Sequence, residues 1–357
     1  MKTQEEFKTC YDIYLRPKLV ALEKQRENIV SKKRSVLAIY SVLMIVIVLA
    51  MVGIFTVSVE HCELDILAIA ATIFGMILIT WETIYFNKKL KSGYTKHFKQ
   101  TIIRSLVNLV DENLVYDPNR KVPLKAFHTS QLFKRKYGQY PNRKVPLKAF
   151  PSQLFKRKYG QEIDKWTGED YFEGTFGKTS MIFSEVKARE ERGRGDYIYY
   201  VTIFRGLFFE FELNLNFKGV TLIVPYHKLN IIGPGKLWPS GNNKKRQITL
   251  EDPELARNFV IYSDNPTMAH RILTTDFMHR LLTLRHRLKK PLYLSFVDGK
   301  LYLAIHVKKN LFESKLSKSV LNFELIQECF EYIQLGKEIV EMLQDVSIHF
   351  NTPSLPI

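Results

Sequence analysis

Two uncharged apolar runs near the N-terminus constrain this chain more than any other feature. Val36–Val59 holds 24 residues without a charge, and Ile66–Trp81 holds 16 and stays mostly apolar to Phe86. At about 1.5 Å per residue, the first run is about 36 Å long and could cross a hydrocarbon core about 30 Å thick. The second reaches about 31 Å when it extends to Phe86. The sequence therefore predicts a transmembrane hairpin over 35–87, with spans at about 36–59 and 64–86.

Positive charge flanks the predicted hairpin on one side only. Lys32, Lys33 and Arg34 precede the first run, four lysines within 88–96 follow the second, and the turn at 60–63 has no Lys or Arg. Because positively charged flanks stay on the cytoplasmic side of a membrane, both termini are expected in the cytosol. A cleaved signal peptide is the alternative. It fits less well because a long charged segment precedes the run and the run exceeds a typical signal-peptide core.

Small residues predict how the two spans could pack against each other in lipid, where close backbone approach drives association. The candidates for this packing are Ala50, Gly53, Ala68, Ala71 and Gly75. Glu82 is the strongly polar residue within the spans, and its closeness to the inner lysines predicts an interfacial position rather than a proton pathway. The hairpin is therefore predicted to be an anchor.

Changes of pattern divide the rest of the chain. Apolar residues at helical spacing between Phe7 and Leu22 predict a cytosolic amphipathic helix over 1–34, kinked or divided at Pro17. Its apolar face is expected to pack on the C-terminal domain or on a second copy of the chain. The other predicted segments are a helical connector at 88–117, a basic tandem duplication at 118–161, a cytosolic α+β domain at 162–350 and a tail at 351–357.

The duplication is a near-identical repeat. Pro118–Phe127 recurs at Pro141–Phe150, and Ser130–Gln139 recurs at Ser152–Gln161. Such identity favours a recent duplication or a sequence-assembly fault over a solenoid, which needs three or more diverged units. Each copy carries six cations and no acid, so part of the formal charge of +17 comes from the repeat. One copy is expected to loop out.

After the duplication, short strand patterns with glycine turns give way to helical patterns. The predicted strands are Ser180–Ala188, Tyr197–Phe204, Leu207–Leu213, Val220–Val224, Gln247–Leu250, Asn258–Tyr262, Tyr293–Val297 and Leu301–Val307. The predicted helices are Pro266–Leu273, Asp276–Leu288 and Asn322–Leu343. Turns are predicted at Gly206 and at Asp298-Gly299, the latter a two-residue hairpin turn, and a short strand could follow at Val346–Phe350. Because strict βαβ alternation is missing, we predict a membrane-anchored α+β fold with a mainly antiparallel sheet and C-terminal helices.

Motifs that would name a reaction are missing from the sequence. Gly174–Thr179 resembles a phosphate-binding loop but has Phe172 in place of its first glycine and leads into a strand, so it predicts a turn. His270, His279 and His286 lie on predicted helices at spacings unlike those of metal sites. We predict no cofactor and no metal, and the balance is against an enzyme.

The helix predicted at Asp276–Leu288 has a basic outer face. The candidate lipid- or partner-binding residues on and after it are Arg280, Arg285, His286, Arg287, Lys289 and Lys290. A solvated face is the simplest interpretation. The functional alternative is contact with anionic lipid headgroups, at about 1 kcal/mol per cation near the surface. No recognition motif supports nucleic acid as a partner.

Several segments are similar to one protein family. They are Leu22-Glu23 with Arg26, Ser152–Phe155, Thr179–Val186, Phe204–Phe208, Glu251–Glu254, Phe259–Ser263 and Leu292–Phe296. With the two apolar runs, they resemble a bacterial inner-membrane protein family of unknown function. The resemblance implies a multi-pass protein of the inner (cytoplasmic) membrane, with two spans, cytosolic termini and a large C-terminal cytosolic domain. It implies no activity and no catalytic residues.

These observations lead to three functional hypotheses. The first is a membrane-anchored cytosolic interaction module that docks on anionic lipid and on a membrane protein or a second copy of itself. The alternatives are an uncharacterised hydrolase-like membrane enzyme and an accessory subunit of a transporter. Phe204–Phe209 is either an exposed aromatic turn used in binding or part of a core strand pair, and the second interpretation is the simpler.

Overall fold

The computed structural model describes residues 4–57, 62–133, 163–193, 197–213, 215, 217–226 and 246–351. The chain forms two compact units. The helical unit contains residues up to Leu106 together with Phe312–Cys329, and the sheet unit contains Val107–Leu311 and the chain from Phe330. The second repeat copy lies outside the described residues, as do residues 60–61 of the predicted turn and residues 352–357 of the predicted tail, whereas 62–63 begin a helix.

Long helices build the helical unit. They are α1 (Gln4–Cys10), α2 (Arg16–Val57), α3 (Cys62–Phe98) and the start of α4 (Arg104–Val110), with π-helical turns at Tyr11–Leu15 and Lys99–Ile103. α2 and α3 contact each other. The predicted amphipathic helix lies in α1, the first π-helical turn and the start of α2, and α2 continues without a break into the described part of the first apolar run. Pro17 does not break it, because it lies in the first turn of α2, directly after the wider π-helical turn.

The apolar face of the N-terminal segment packs inside the helical unit. Phe7, Leu15 and Leu19 are buried, whereas Tyr14 is 60% exposed. The Tyr11 ring meets Phe323 edge-on at 4.9 Å, and the Tyr11 hydroxyl donates to a backbone carbonyl of the same segment, at Leu321. The partner of this face is therefore Phe312–Cys329 together with the buried side chains near the end of α3 and after it.

The Glu23–Arg26 ion pair of α2 binds the segment Phe312–Cys329. Arg26 donates to both carboxylate oxygens of Glu23, at 3.0 and 2.7 Å, and to the Leu316 carbonyl at 2.8 Å. The Val320 N–H donates to Glu23 at 3.0 Å. Hydrogen bonding from Arg26 lowers the pKa of Glu23 against the opposing effect of burial. Bidentate pairs of this kind fix geometry, and loss of one partner leaves the other desolvated and unpaired.

In the described residues, the sheet unit has nine strands, all paired antiparallel, in the order β1-β2-β3-β4-β9-β8-β5-β7-β6. The strands are β1 (Val115–Asp117), β2 (Lys165–Phe176), β3 (Thr179–Arg192), β4 (Tyr199–Glu212), β5 (Val220–Pro225), β6 (Arg246–Ile248), β7 (Phe259–Ser263), β8 (Leu292–Val297) and β9 (Lys300–His306). The helices are α5 (Leu124–Thr129), α6 (Pro253–Asn258), α7 (Pro266–Ile272), α8 (Thr275–Leu288) and α9 (Phe323–Asn351). The prediction of a mainly antiparallel domain is confirmed.

Both faces of the central strands are buried. Phe208 and Phe209 are adjacent in β4, so they point to opposite faces, and each is 0% exposed. Phe208 packs against Phe127 of α5 at 5.3 Å between ring centroids, and Phe209 stacks on Phe183 at 4.5 Å. A Cβ atom added at Gly336 would lie 2.3 Å from the sulfur of Met181, so α9 approaches β3 closely. Phe204–Phe209 is therefore core strand and not an exposed turn.

Gly206 does not form the predicted turn. β4 runs unbroken through it, and its φ of +151° is unusual for a side-chain-bearing residue. An added Cβ would lie 1.9 Å from the Ile305 carbonyl oxygen of the neighbouring strand. The glycine is needed because two backbones approach closely, and the two strands predicted on either side of it are one.

Other elements also differ from the prediction. The chain at 346–350 is helical and belongs to α9. α6 was not predicted, although Asp252 caps it by accepting the Glu254 and Leu255 N–H groups. The Asp298-Gly299 hairpin is confirmed, with positive φ at both residues. In the first repeat copy, Phe127 is buried, so this copy contributes to the core.

One described helix, within Gln4–Ala50, is long and apolar enough to span a membrane by length and composition. This supports the prediction that the chain is anchored to a membrane.

We predict that Gly206→Ala lowers the free energy of unfolding by about 3 kcal/mol or more, because the methyl group meets backbone atoms and the φ angle is strained. The control is Gly177→Ala, where φ is +60° but the nearest atom is 3.9 Å away. This change should cost about 1 kcal/mol. Denaturant unfolding of the full chain in detergent measures both. Equal losses would contradict the close approach at Gly206.

Candidate functional site

The basic helix α8 is fixed by a cap and a buried stripe. The Thr274 hydroxyl accepts the Phe277 N–H at its start, and Lys289 ends it in the left-handed conformation. Phe277, Leu281 and Leu284 are buried, which leaves the predicted cations on the opposite side.

Acidic side chains lie within ion-pair distance of three of the six predicted residues. Arg280 pairs with Asp276 at 2.9 Å, Arg287 pairs with Glu338, and His286 Nε2 lies 3.9 Å from a Glu254 carboxylate oxygen. The other three are Arg285, Lys289 and Lys290. The Arg285 guanidinium donates to the Lys290 carbonyl, and its buried Nε has no hydrogen-bond partner in the part of the chain that the structure describes. The charge that α8 offers to an external anion is therefore reduced.

The predicted membrane-packing residues lie on two helices. Ala50 and Gly53 are exposed on α2. Gly75 is half-buried on α3, and a Cβ added at Gly53 or Gly75 would meet no atom within 4 Å. The described chain therefore shows no tight helix contact at these two glycines. The side chains of Ala68 and Ala71 lie outside the described part. Close packing at these positions stays a prediction.

A second group of cations, which the sequence reasoning missed, lies on one side of three neighbouring strands. Lys187 and Arg189 are two residues apart in β3, so they share a face. Arg205 of β4 stands directly opposite Lys187, and Lys165 of β2 stands directly opposite Arg189. We call these four residues the strand cation cluster.

No ion pair joins any member of the strand cation cluster to an acid among the described residues. Arg205 donates to the neutral side chain of Asn310. Two acids lie on the same side of β3 but are engaged. Glu185 is buried and accepts the Leu311 N–H at 3.0 Å, and Glu191 accepts the Tyr200 hydroxyl at 3.3 Å. The cluster therefore carries excess positive charge.

This concentration of charge has an electrostatic cost. Burial lowers the pKa of Lys187, and the charges of Arg189 and Arg205 lower it further. Like charges placed directly opposite on adjacent strands destabilise a sheet. The buried Nε of Arg189 has no hydrogen-bond partner among the described residues, which adds an unsatisfied donor.

Exposed aromatic side chains lie beside the cluster. Tyr200 is 46% exposed, and both the Lys165 ammonium and the Arg189 guanidinium lie 5.7 Å from its ring centroid. Tyr197, Ile198 and Tyr199 precede it along the chain and are more than half exposed. We call Tyr197–Tyr200 with the strand cation cluster the β3–β4 surface.

A cue to half of the cluster was present in the sequence. The alternation that predicts the strand at Ser180–Ala188, continued by one residue, places Lys187 and Arg189 on one face. Their pairing with Arg205 and Lys165 depends on strand register, which is not visible in the sequence.

Other motifs have structural roles. Gly177, with φ of +60°, lies in the turn between β2 and β3, as predicted for Gly174–Thr179. Among the described residues, no group of three or more His, Cys, Asp or Glu side chains is placed to hold a metal ion.

Comparison with known proteins gives a family profile of unknown function. The profile described as "Protein of unknown function (DUF3137)" matches residues 202–345, which is less than half of the chain. This agrees with the predicted resemblance to a family of unknown function and supports it for that segment. No curated protein sequence matches the chain.

One solved structure shows a weak likeness, the mycobacterial trehalose monomycolate transport factor A, TtfA. The two chains are 9% identical, and the TM-score of 0.35 applies to 72% of this chain and 97% of that one. A TM-score this low carries no argument about fold or role.

We predict that Lys187→Gln raises the free energy of unfolding at low ionic strength by about 0.5 kcal/mol, because it removes one of two opposed cations. The gain should shrink in 1 M salt, where the Debye length is about 3 Å.

The matched control is Lys300→Gln on the same sheet. Lys300 bonds Glu210 at 2.8 Å and Glu212 at 3.2 Å, and this hydrogen bonding raises its pKa. Its replacement should destabilise the protein. Chemical unfolding at two salt concentrations reads both variants, and a loss of stability in Lys187→Gln would contradict the repulsion.

Proposed function

We propose that this chain is a two-span membrane protein whose sheet unit acts in the cytosol as an interaction module. The observation that carries the proposal is apolar exposure on both long helices. On α2, Ile39, Val42 and Leu49 are each at least 60% exposed. Contiguous apolar surface of this kind is rare on soluble monomers and fits a bilayer.

α3 supports the second span in the same way. Its exposed apolar side chains are Ile73, Phe74, Ile77, Leu78, Trp81, Ile84, Tyr85 and Phe86. At about 100° per residue, all of them except Phe86 fall on one side of α3, which fits a helix that contacts α2 and exposes its other side to lipid. From Cys62 to Phe86 α3 would extend about 37 Å, enough to cross a bilayer.

Charge and aromatic residues support the orientation. Lys32, Lys33 and Arg34 lie on α2 just before its apolar part. Trp81 and Tyr85 are exposed on α3 just before its lysines, at the position where aromatic rings favour the headgroup zone. Both charged flanks would therefore lie on the cytosolic side of the membrane. The resemblance implies that this membrane is the inner membrane.

The β3–β4 surface supports an interaction role. Tyr197 is 86% exposed and Tyr199 is 58% exposed, and tyrosines in such settings mark binding surfaces. An accessory role beside a transporter would be one form of this function. We know of no described feature that favours the enzyme alternative over it.

We predict that Cys62 faces outward. In a variant that keeps Cys62 and carries Cys10→Ala and Cys329→Ala, a membrane-impermeant maleimide should label intact cells. A second variant lacks all three native cysteines and carries Lys32→Cys, and it should be labelled only after permeabilisation. The opposite pattern, or labelling of both in intact cells, would contradict the two-span topology.

We predict that the β3–β4 surface contacts its partner directly. A photo-cross-linking amino acid at Tyr200, the exposed residue whose ring lies beside the cations, should give an adduct of defined mass in native membranes. The same probe at Tyr14, exposed on the helical unit, is the matched control. A lipid, a second protein or a dimer of the chain would each be recognised by mass. Equal or absent cross-linking at the two sites would refute the surface.

A further inference from the structure

The strand cation cluster has the chemistry of an anion site. We propose that it binds the phosphate of an anionic phospholipid headgroup in the membrane that anchors the chain. The inference rests on the proposed function, since it names the partner of the β3–β4 surface.

The first step is charge complementarity. Lys165, Lys187, Arg189 and Arg205 occupy three adjacent strands, face one side, and pair with no acid in the described chain. A bound phosphate would neutralise cations that are now opposed to one another. It would relieve the repulsion that depresses protonation of Lys187.

The second step is donor geometry. The Arg189 Nε is buried and lacks a hydrogen-bond partner within the described chain, and Arg205 uses one guanidinium nitrogen on Asn310 and keeps others. The planar guanidinium fork matches phosphate oxygens, and a lysine beside it adds a point charge. Two arginines and a lysine on neighbouring strands therefore offer convergent donors.

The third step selects a lipid over free phosphate. Tyr200 exposes an amphipathic ring next to the cations, and Ile198, two residues before it, is 53% exposed. Free phosphate cannot bury this apolar surface, whereas a phospholipid carries glycerol and acyl carbons next to its charged headgroup. An anchored domain also meets membrane lipid at a high effective concentration.

The fourth step compares the strand cation cluster with the basic face of α8 as a site for an anion. Arg280 and Arg287 have carboxylate partners, so an anion there must compete with Asp276 and Glu338. The strand cation cluster has no such competitor among the described residues. The two surfaces thus provide matched sets of three cations for one experiment.

The test uses the full chain in a non-ionic detergent and native mass spectrometry. The protein is titrated with dioctanoyl phosphatidylglycerol, and with dioctanoyl phosphatidylcholine as the zwitterionic lipid with the same chains. We expect at least tenfold tighter binding of phosphatidylglycerol, weakened by added salt. The triple variant Lys187→Gln, Arg189→Gln, Arg205→Gln should lose this preference. The triple variant Arg280→Gln, Arg287→Gln, Lys290→Gln removes the same charge and should bind within twofold of the wild type.

Two further measurements keep the outcome interpretable. Thermal unfolding without lipid should show that the strand variant folds, and the single change Lys187→Gln should still weaken binding severalfold if the triple variant does not fold. Inorganic phosphate is the third ligand. Equal affinity for the two lipids, loss of binding in the α8 variant alone, or full competition by millimolar phosphate would each overturn the proposal.

Lipid binding in detergent tests the headgroup site independently of the membrane topology of the chain. A failed lipid titration with correct Cys62 labelling would therefore remove the headgroup site and leave the anchored module standing. The expected lipid binding together with the opposite Cys62 labelling pattern would keep the headgroup site and contradict the two-span topology.

Discussion

Burial of β3 and β4 on both faces is the constraint on which the sheet unit depends. An antiparallel strand can leave one face in water, but Phe208 and Phe209 are both fully buried. Each face of these strands must therefore pack against another element, and α5 and α9 provide this packing. Close cover explains the small residues at contact points, where Gly336 lets a helix approach Met181 and Gly206 lets one strand approach another.

The same cover explains where the charges lie. Toward Arg192 and Tyr199, β3 and β4 extend past the apolar layers, and side chains there are half-buried or exposed. Cations on this stretch keep partial contact with water, which limits the cost of placing them together. That cost is still present, because Lys187 and Arg205 are held opposite each other by register. Natural sheets retain such tension where a surface binds something, at the expense of stability.

Local patterns predicted local structure well. The Asp298-Gly299 turn, the helix near Asp276–Leu288 and the antiparallel character are all present, because each depends on residues close in sequence. Gly206 was misread since a glycine between aromatic residues signals a turn, and only the neighbouring Ile305 carbonyl reveals its real role. α6 was missed although Asp252-Pro253 is a good helix start, because its single turn is shorter than any periodic signal.

The candidate site shows the same division. The basic face of α8 could be read from the sequence, but its neutralisation by Glu254 and Glu338 could not, because both acids come from distant elements. Conversely, Lys165 and Arg205 are unremarkable alone and become significant only through strand pairing. Surface charge in a sheet protein is a property of register as much as of composition.

The continuity of α2 has a mechanical consequence. Its 42 residues form a rod about 63 Å long with no joint between the apolar part and the Glu23–Arg26 pair. Where hydrophobic mismatch changes the tilt of such a rod by about 10°, its far end moves by roughly 10 Å. If α2 crosses a bilayer as proposed, bilayer thickness and the position of the segment held by Arg26 are coupled through the tilt of this helix, without any ligand passing between them.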